Sequence, residues 1–214
     1  GRYFLLCSAV ACIDDGTRAF DETAPLLSDR PGGPAGDYMF SKAQLERETA
    51  ELAGKMGFSY TILRPSFIYG PYNYAPRESF FIEKIVRNKP VPVPTDADGR
   101  FSTVYVKDVA DAITACVESK AAENVRFVLS SPEVLDYAKY IELLSYAAGR
   151  DFETRTVTVS QAESEGIPLP FPLRSSESEV FDGSLITREL GLEYTPLAEG
   201  MKKTFAAFAP VYSD

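Results

Sequence analysis

The chain has 214 residues, 45% of them hydrophobic and 25% charged, enough for a buried core and unlike a disordered tail. A formal net charge of -9 with no histidine argues against broad electrostatic capture of nucleic acid or of an anionic membrane. Three cysteines, Cys7, Cys12 and Cys116, fit neither a disulfide framework nor zinc-ligand spacing, so no metal is expected and a reduced, cytoplasmic compartment is the simpler reading.

Gly1 opens straight into the apolar run Tyr3-Phe4-Leu5-Leu6-Cys7 with no basic segment before it, so no signal peptide is expected. No apolar run is long enough to span a bilayer, so no membrane is expected. Residues 3–7 read as a buried strand, and 12–37, rich in Asp, Pro and Gly, as a long loop. From 41 to 56 the spacing of Ala43, Leu45, Ala50, Leu52, Ala53 and Met56 is helical, and Gly57 closes the helix. The run 60–64 is a strand stopped by Pro65, which gives a β-α-β rhythm and predicts a parallel sheet.

The stretch 69–76 is turn chemistry studded with aromatics, and 78–87 a short helix. Pro90, Pro92 and Pro94 alternate with Val91 and Val93, as in an extended connector or edge strand. Residues 103–106 form a strand; Asp108 is placed to cap a helix over 109–119 whose face carries Val109, Ala112, Ile113, Cys116 and Val117. A strand over 125–129, a helix over 134–148 ending at Gly149 and a strand over 154–159 follow. Residues 167–172, with three prolines, cannot be helical. Helices over 184–190, closed by Gly191, and 197–208 complete the chain.

Tyr38 and Lys42 lie four residues apart, so on a helix starting near Asp37 they share a face. An ammonium beside a phenol favours phenolate and suits the phenol to general acid or base work. On spacing alone an exposed aromatic near a solvated lysine reads as well. Ser8 follows the 3–7 strand, where ligand crevices of open parallel sheets lie, although a serine there also serves as an ordinary turn residue.

Together with the Ser-Lys-Ala-x-x-Glu run at 41–46, Leu63-Arg64-Pro65 through Tyr69-Gly70-Pro71, and Phe101 through Asp108-Val109-Ala110, this arrangement resembles the extended short-chain dehydrogenase/reductase family. Its nucleotide-sugar epimerases and dehydratases are the nearest large group, and the resemblance covers roughly residues 2 to 205. It implies an α/β, NAD(P)-binding Rossmann-type fold with a small mixed substrate lobe. By that likeness Tyr38 is the catalytic base, Lys42 lowers its pKa and binds the nicotinamide ribose, and Ser8 positions the substrate hydroxyl. Pro65, Ser66 and Phe67 pass beside the nicotinamide of NAD or NADP, and Arg100 and Arg174 match arginines that hold the nucleotide diphosphate.

Two departures stand out. No Gly-x-x-Gly-x-x-Gly occurs, and Gly32-Gly33 follows the wrong strand, so the chain is expected to be the C-terminal two-thirds of a longer protein. Phe67 stands where many sugar-nucleotide epimerases carry an asparagine. With Phe80-Phe81 and the alternating prolines, this is more like an atypical branch that includes chloroplast stem-loop RNA-binding proteins and their bacterial relatives. The plant members resemble an enzyme without its tyrosine, whereas this chain keeps Tyr38 and Lys42.

The domain expectation is residues 1–65 as the distal part of a Rossmann domain, 66–105 as the first part of the substrate lobe, 106–150 returning to the Rossmann domain, and 151–214 mainly in the lobe. The functional expectation is an NAD(P)-dependent nucleotide-sugar epimerase/dehydratase-like oxidoreductase acting on a nucleotide sugar or related small molecule, with a homodimer left open. A non-catalytic RNA-binding or NAD-binding protein is the alternative. Arg64 reads equally as facing the cofactor cleft or as pairing with a carboxylate. Tyr69, Tyr72, Tyr74, Phe80 and Phe81 read as packing ahead of a base-stacking platform. The cysteines read as packing residues, since no histidine is present to activate a thiol.

Overall fold

A computed structural model describes residues 1–12 and 20–213. In chain order the elements begin with β1 (Arg2–Leu6), α1 (Gly33–Met56), β2 (Ser59–Pro65), β3 (Phe67–Tyr69), α2 (Glu78–Val86) and β4 (Val91–Pro94). They continue with β5 (Phe101–Tyr105), α3 (Val106–Glu118), β6 (Val125–Leu129), β7 (Val134–Leu135) and α4 (Tyr137–Ala148). The last are β8 (Thr154–Val157), α5 (Val159–Ser164), α6 (Ser184–Leu190) and α7 (Leu197–Phe208).

The chain divides into two compact units, the first made of Gly1–Phe67, Lys107–Pro132 and Val180–Tyr194. Its sheet has the order β1-β2-β6 and is parallel throughout, with Leu5 opposite Ile62 and Leu63 opposite Phe127. The β1-α1-β2 crossover is the expected β-α-β unit. Its core packs Leu5, Cys7 and Ala11 against Ala43 of α1 and Ile62 of β2, with Leu26, Leu27 and Tyr60 at the margin. A second cluster joins Ala9, Val128 and Phe181, and Phe20 stacks on Phe181 at 5.4 Å.

The second unit comprises Ile68–Val106, Glu133–Glu179 and Thr195–Asp214. It holds the sheet β3-β5-β7, with β5 and β7 antiparallel, and the parallel pair β4-β8. Its core is aromatic: Phe101 and Phe171 stack at 4.2 Å with rings 3° from parallel, and Tyr140 meets Phe171 edge-on at 4.8 Å. Helix α7 covers α4 and α2.

Several sequence expectations need correction. Helix α1 starts at Gly33, inside the expected 12–37 loop, because proline is tolerated in a first turn and the glycines that suggested a loop do not block one. The part of that loop at 13–19 lies outside the described residues. The expected helix over 134–148 begins only at Tyr137, since Val134 and Leu135 pair with β5 and the Asp136 side chain accepts the Lys139 N–H at 2.8 Å as an N-cap. Helix α3 starts at Val106 and not at 109, so Asp108 lies within its first turn, where it is buried.

On α3 the apolar stripe is only half covered: Val109, Ala112 and Cys116 are buried, whereas Ile113 and Val117 are exposed. Residues 133–150 cluster with the second unit and not the first, because α4 packs against α7 and β4. Residues 180–194 cluster with the first unit and not the lobe, since α6 packs on β6 and Phe181 on Phe20.

Candidate active site

Tyr38 and Lys42 sit in the N-terminal half of α1, one turn apart, with the Lys42 ammonium 5.6 Å from the centre of the Tyr38 ring. Tyr38 is 51% exposed. The turns around it are fixed locally: Ser41 Oγ donates to the Asp37 carbonyl at 2.7 Å, and Arg30 Nε pairs with Asp37 at 2.6 Å. The structure thus brings together the two groups whose spacing marked them in the sequence.

Ser8 stands just past β1, half-buried, in extended conformation at the start of a short 3-10 turn over Ala9–Ala11. The residue before it, Cys7, donates its thiol to the Lys42 carbonyl at 3.4 Å. That bond ties the end of β1 to α1 at the lysine. Burial pushes the Cys7 thiol up to about 11, with the Glu46 carboxylate adding to the effect and Lys42 and Arg64 opposing it. It is a packing residue, as are Cys12 and Cys116, both free and buried.

The C-terminal end of β2 supplies Arg64 and Pro65, Ser66 follows it, and Phe67 opens β3. Ser66 Oγ is buried and has no hydrogen-bond partner among the described residues. An orphaned hydroxyl of this kind, at a strand end, suits a polar ligand group, as the nicotinamide carboxamide would provide. The segment expected to run beside the cofactor therefore fits it.

Arg64 takes the second of its two readings. It is 2% exposed and grips Glu46, itself fully buried, through Nη2 at 2.6 Å and Nε at 3.0 Å. Arg126 of β6 adds its Nε to the same carboxylate at 2.6 Å, and Arg64 Nη1 reaches the Glu22 carbonyl at 3.3 Å. Glu22 Oε1 in turn accepts the Val128 N–H at 2.8 Å, and burial raises that carboxyl above its ordinary range. Reading by motif missed Glu46 as a structural partner. Its signal was available: Ala43, Glu46, Thr49 and Ala53 form one buried stripe, and a carboxylate on such a stripe requires a cation.

Arg100 and Arg174 belong to the second unit. Arg100 is exposed, and its backbone N–H donates to Ser178 Oγ at 3.0 Å. The Arg174 guanidinium is already paired with Glu163 at 2.5 Å and Glu177 at 3.2 Å, which raises its pKa through those hydrogen bonds and charges. In the same unit Tyr69 and Phe81 are buried, as expected of packing residues. Tyr72 and Tyr74 are not: they are 98% and 99% exposed. Asn73 fills the inside of that loop, donating to Glu78 at 2.7 Å, and leaves both flanking rings outside.

A family described as NAD dependent epimerase/dehydratase matches residues 1–129. Among characterised proteins, a UDP-glucose 4-epimerase of Vibrio cholerae is 24% identical over 97% of this chain and 63% of its own length. The chloroplast stem-loop binding protein of 41 kDa b of Arabidopsis thaliana is 29% identical over 48% of this chain and 27% of its own. Among solved structures, the fold matches a UDP-N-acetylglucosamine 4-epimerase of Methanobrevibacter ruminantium with TM-score 0.77 at 18% identity, over 98% of this chain and 63% of that one. A UDP-glucose 4-epimerase of Thermotoga maritima gives TM-score 0.73 at 22% identity, over 98% and 64%. The chain spans less than two thirds of the length of each of these relatives.

Proposed function

The chain belongs to the NAD-dependent epimerase/dehydratase family, and from that premise we propose that it carries the acid–base half of an NAD(P)-dependent oxidoreductase acting on a nucleotide sugar. The fold is the α/β Rossmann-type fold of that family. The observation that carries the proposal is Lys42 beside Tyr38 on a half-exposed face of α1, with the lysine carbonyl tied to the residue preceding Ser8.

A bound nicotinamide supplies the acceptor and donor of hydride. The chain's own residues handle the proton and the placement. Tyr38 takes the proton from a sugar hydroxyl as its carbon is oxidised, and returns one when the carbonyl is reduced. Lys42, one turn along α1 from the phenol, is assigned to the nicotinamide ribose. Ser8 would orient the substrate oxygen, and Pro65, Ser66 and Phe67 are the residues that would hold the nicotinamide, to which the unpartnered Ser66 hydroxyl would offer a polar group. Arg100 and Arg174 are assigned to the nucleotide diphosphate; Arg174 would exchange its carboxylate partners for phosphate oxygens.

A second reading rests on Tyr72 and Tyr74. Two nearly fully exposed rings held by an anchored turn support a non-catalytic RNA-binding role of the atypical branch. Two measurements on the full-length gene product separate the readings. Product formation from a panel of nucleotide sugars should occur with wild type and drop by about 100-fold or more in Tyr38→Phe. Titration against structured RNA should instead be tight and steeply salt-dependent, with no cofactor uptake, if the second reading holds.

A further inference from the structure

We propose that Glu46 and Arg64 are positioning residues for the Tyr38–Lys42 pair, a role that rests on the acid–base function proposed for Tyr38. Glu46 lies one turn beyond Lys42 and two beyond Tyr38 on α1, with its carboxylate at the buried side. Arg64 lies one residue before the end of β2, immediately ahead of Pro65 and Ser66. Their two-pronged contact therefore joins the helix that carries the proton-transfer groups to the strand end assigned to the nicotinamide.

The contact is directional. Two N–H donors in the plane of one guanidinium meet the two oxygens of one carboxylate, which sets both the height and the roll of α1 against β2. Apolar side chains of similar volume would fill the same space with equal or better stability, but without fixing direction. Arg126 on β6 takes a third bond to Glu46, and the Glu22 backbone and side chain link Arg64 to Val128 on the same strand. The carboxylate is thus held against both β2 and β6. From the other side the Cys7 thiol grips the Lys42 carbonyl, so the turn of α1 bearing Lys42 is clamped between β1 and β2.

A fork with one prong missing still neutralises charge but no longer sets the roll. That distinction defines the test. In the full-length protein, Arg64→Lys keeps the cation and loses the fork, and Glu46→Gln keeps the shape and loses the charge. Both should lower kcat on a nucleotide sugar by about 10- to 100-fold while KM changes by less than about threefold, as expected when a reacting group is displaced by about an ångström. Hydrogen exchange should accelerate for amides 36–46 and stay unchanged in β1 and β2. Arg126→Gln, whose side chain is 31% exposed in the wild type, gives a milder variant that folds if the others do not, and should show the same pattern at a few-fold loss.

Tyr38→Phe is measured alongside. If it loses turnover while folded Arg64→Lys, Glu46→Gln and Arg126→Gln keep wild-type kcat, the positioning role is overturned and the acid–base reading stands. If Tyr38→Phe turns over like wild type, the acid–base reading falls and the positioning role falls with it. Loss of protection spread evenly over the first unit, in step with the loss of kcat, would mark a merely structural pair and overturn the proposal.

Discussion

Glu179 gives a stability test with a defined sign. Its N–H donates to the Arg100 carbonyl and its carbonyl accepts the Ser102 N–H, both at 2.8 Å, so the backbone is fixed beside β5. Burial pushes the carboxyl from 4.5 up to about 7, while the charge of Arg77 holds it back. A group whose acid form is favoured on folding binds more protons folded than unfolded, so stability falls as pH rises between those values. The span from 4.5 to about 7 corresponds to at most on the order of 3 kcal/mol, present below the unfolded pKa and lost above the folded one. Glu179→Gln mimics the protonated acid at every pH. Urea midpoints of the two proteins, followed by circular dichroism from pH 4.5 to 8, should therefore coincide at the acid end and diverge in favour of the variant towards neutrality. Glu22 and Glu78, also raised by burial, titrate in both proteins and cancel in the difference. A difference that does not vary with pH would show that folding does not raise the Glu179 carboxyl.

Gly200 lies in α7 where a Cβ would enter the hydroxyl of the buried Tyr69. Gly200→Ala should lower the thermal midpoint, because overpacking of about 1–3 kcal/mol exceeds the gain of about 1 kcal/mol from helix propensity; a raised midpoint would show that Tyr69 yields. Asp136→Ala should cost about 1 kcal/mol in a urea titration through loss of the α4 N-cap, and an unchanged midpoint would contradict that role.

The β-α-β rhythm of 3–7, 41–56 and 60–64 was legible because each segment is long, apolar and periodic, and the parallel register follows from it. Tyr38 and Lys42 were legible for the same reason, since helical spacing alone fixes their common face. What was not legible depends on contacts distant in sequence. The start of α1 at Gly33 is hidden by residues that usually end helices, and β7 exists only because β5 pairs with it. The choice between the two readings of Arg64 needed Glu46, 18 positions away, to be seen across the sheet. Exposure was also beyond the pattern: Tyr69 and Tyr72 are three residues apart, yet one is buried at the end of β3 and the other is almost fully exposed.

In the proposed reaction Tyr38 moves the proton that accompanies oxidation of a sugar carbon. Mixing the full-length protein with NAD or NADP and a nucleotide sugar, and following the near-ultraviolet band of reduced nicotinamide in a single turnover, tests it most directly. The band should grow in wild type and grow about 100-fold or more slowly in Tyr38→Phe that binds cofactor equally well. Equal rates in the two proteins, or no band with any nucleotide sugar, would contradict it.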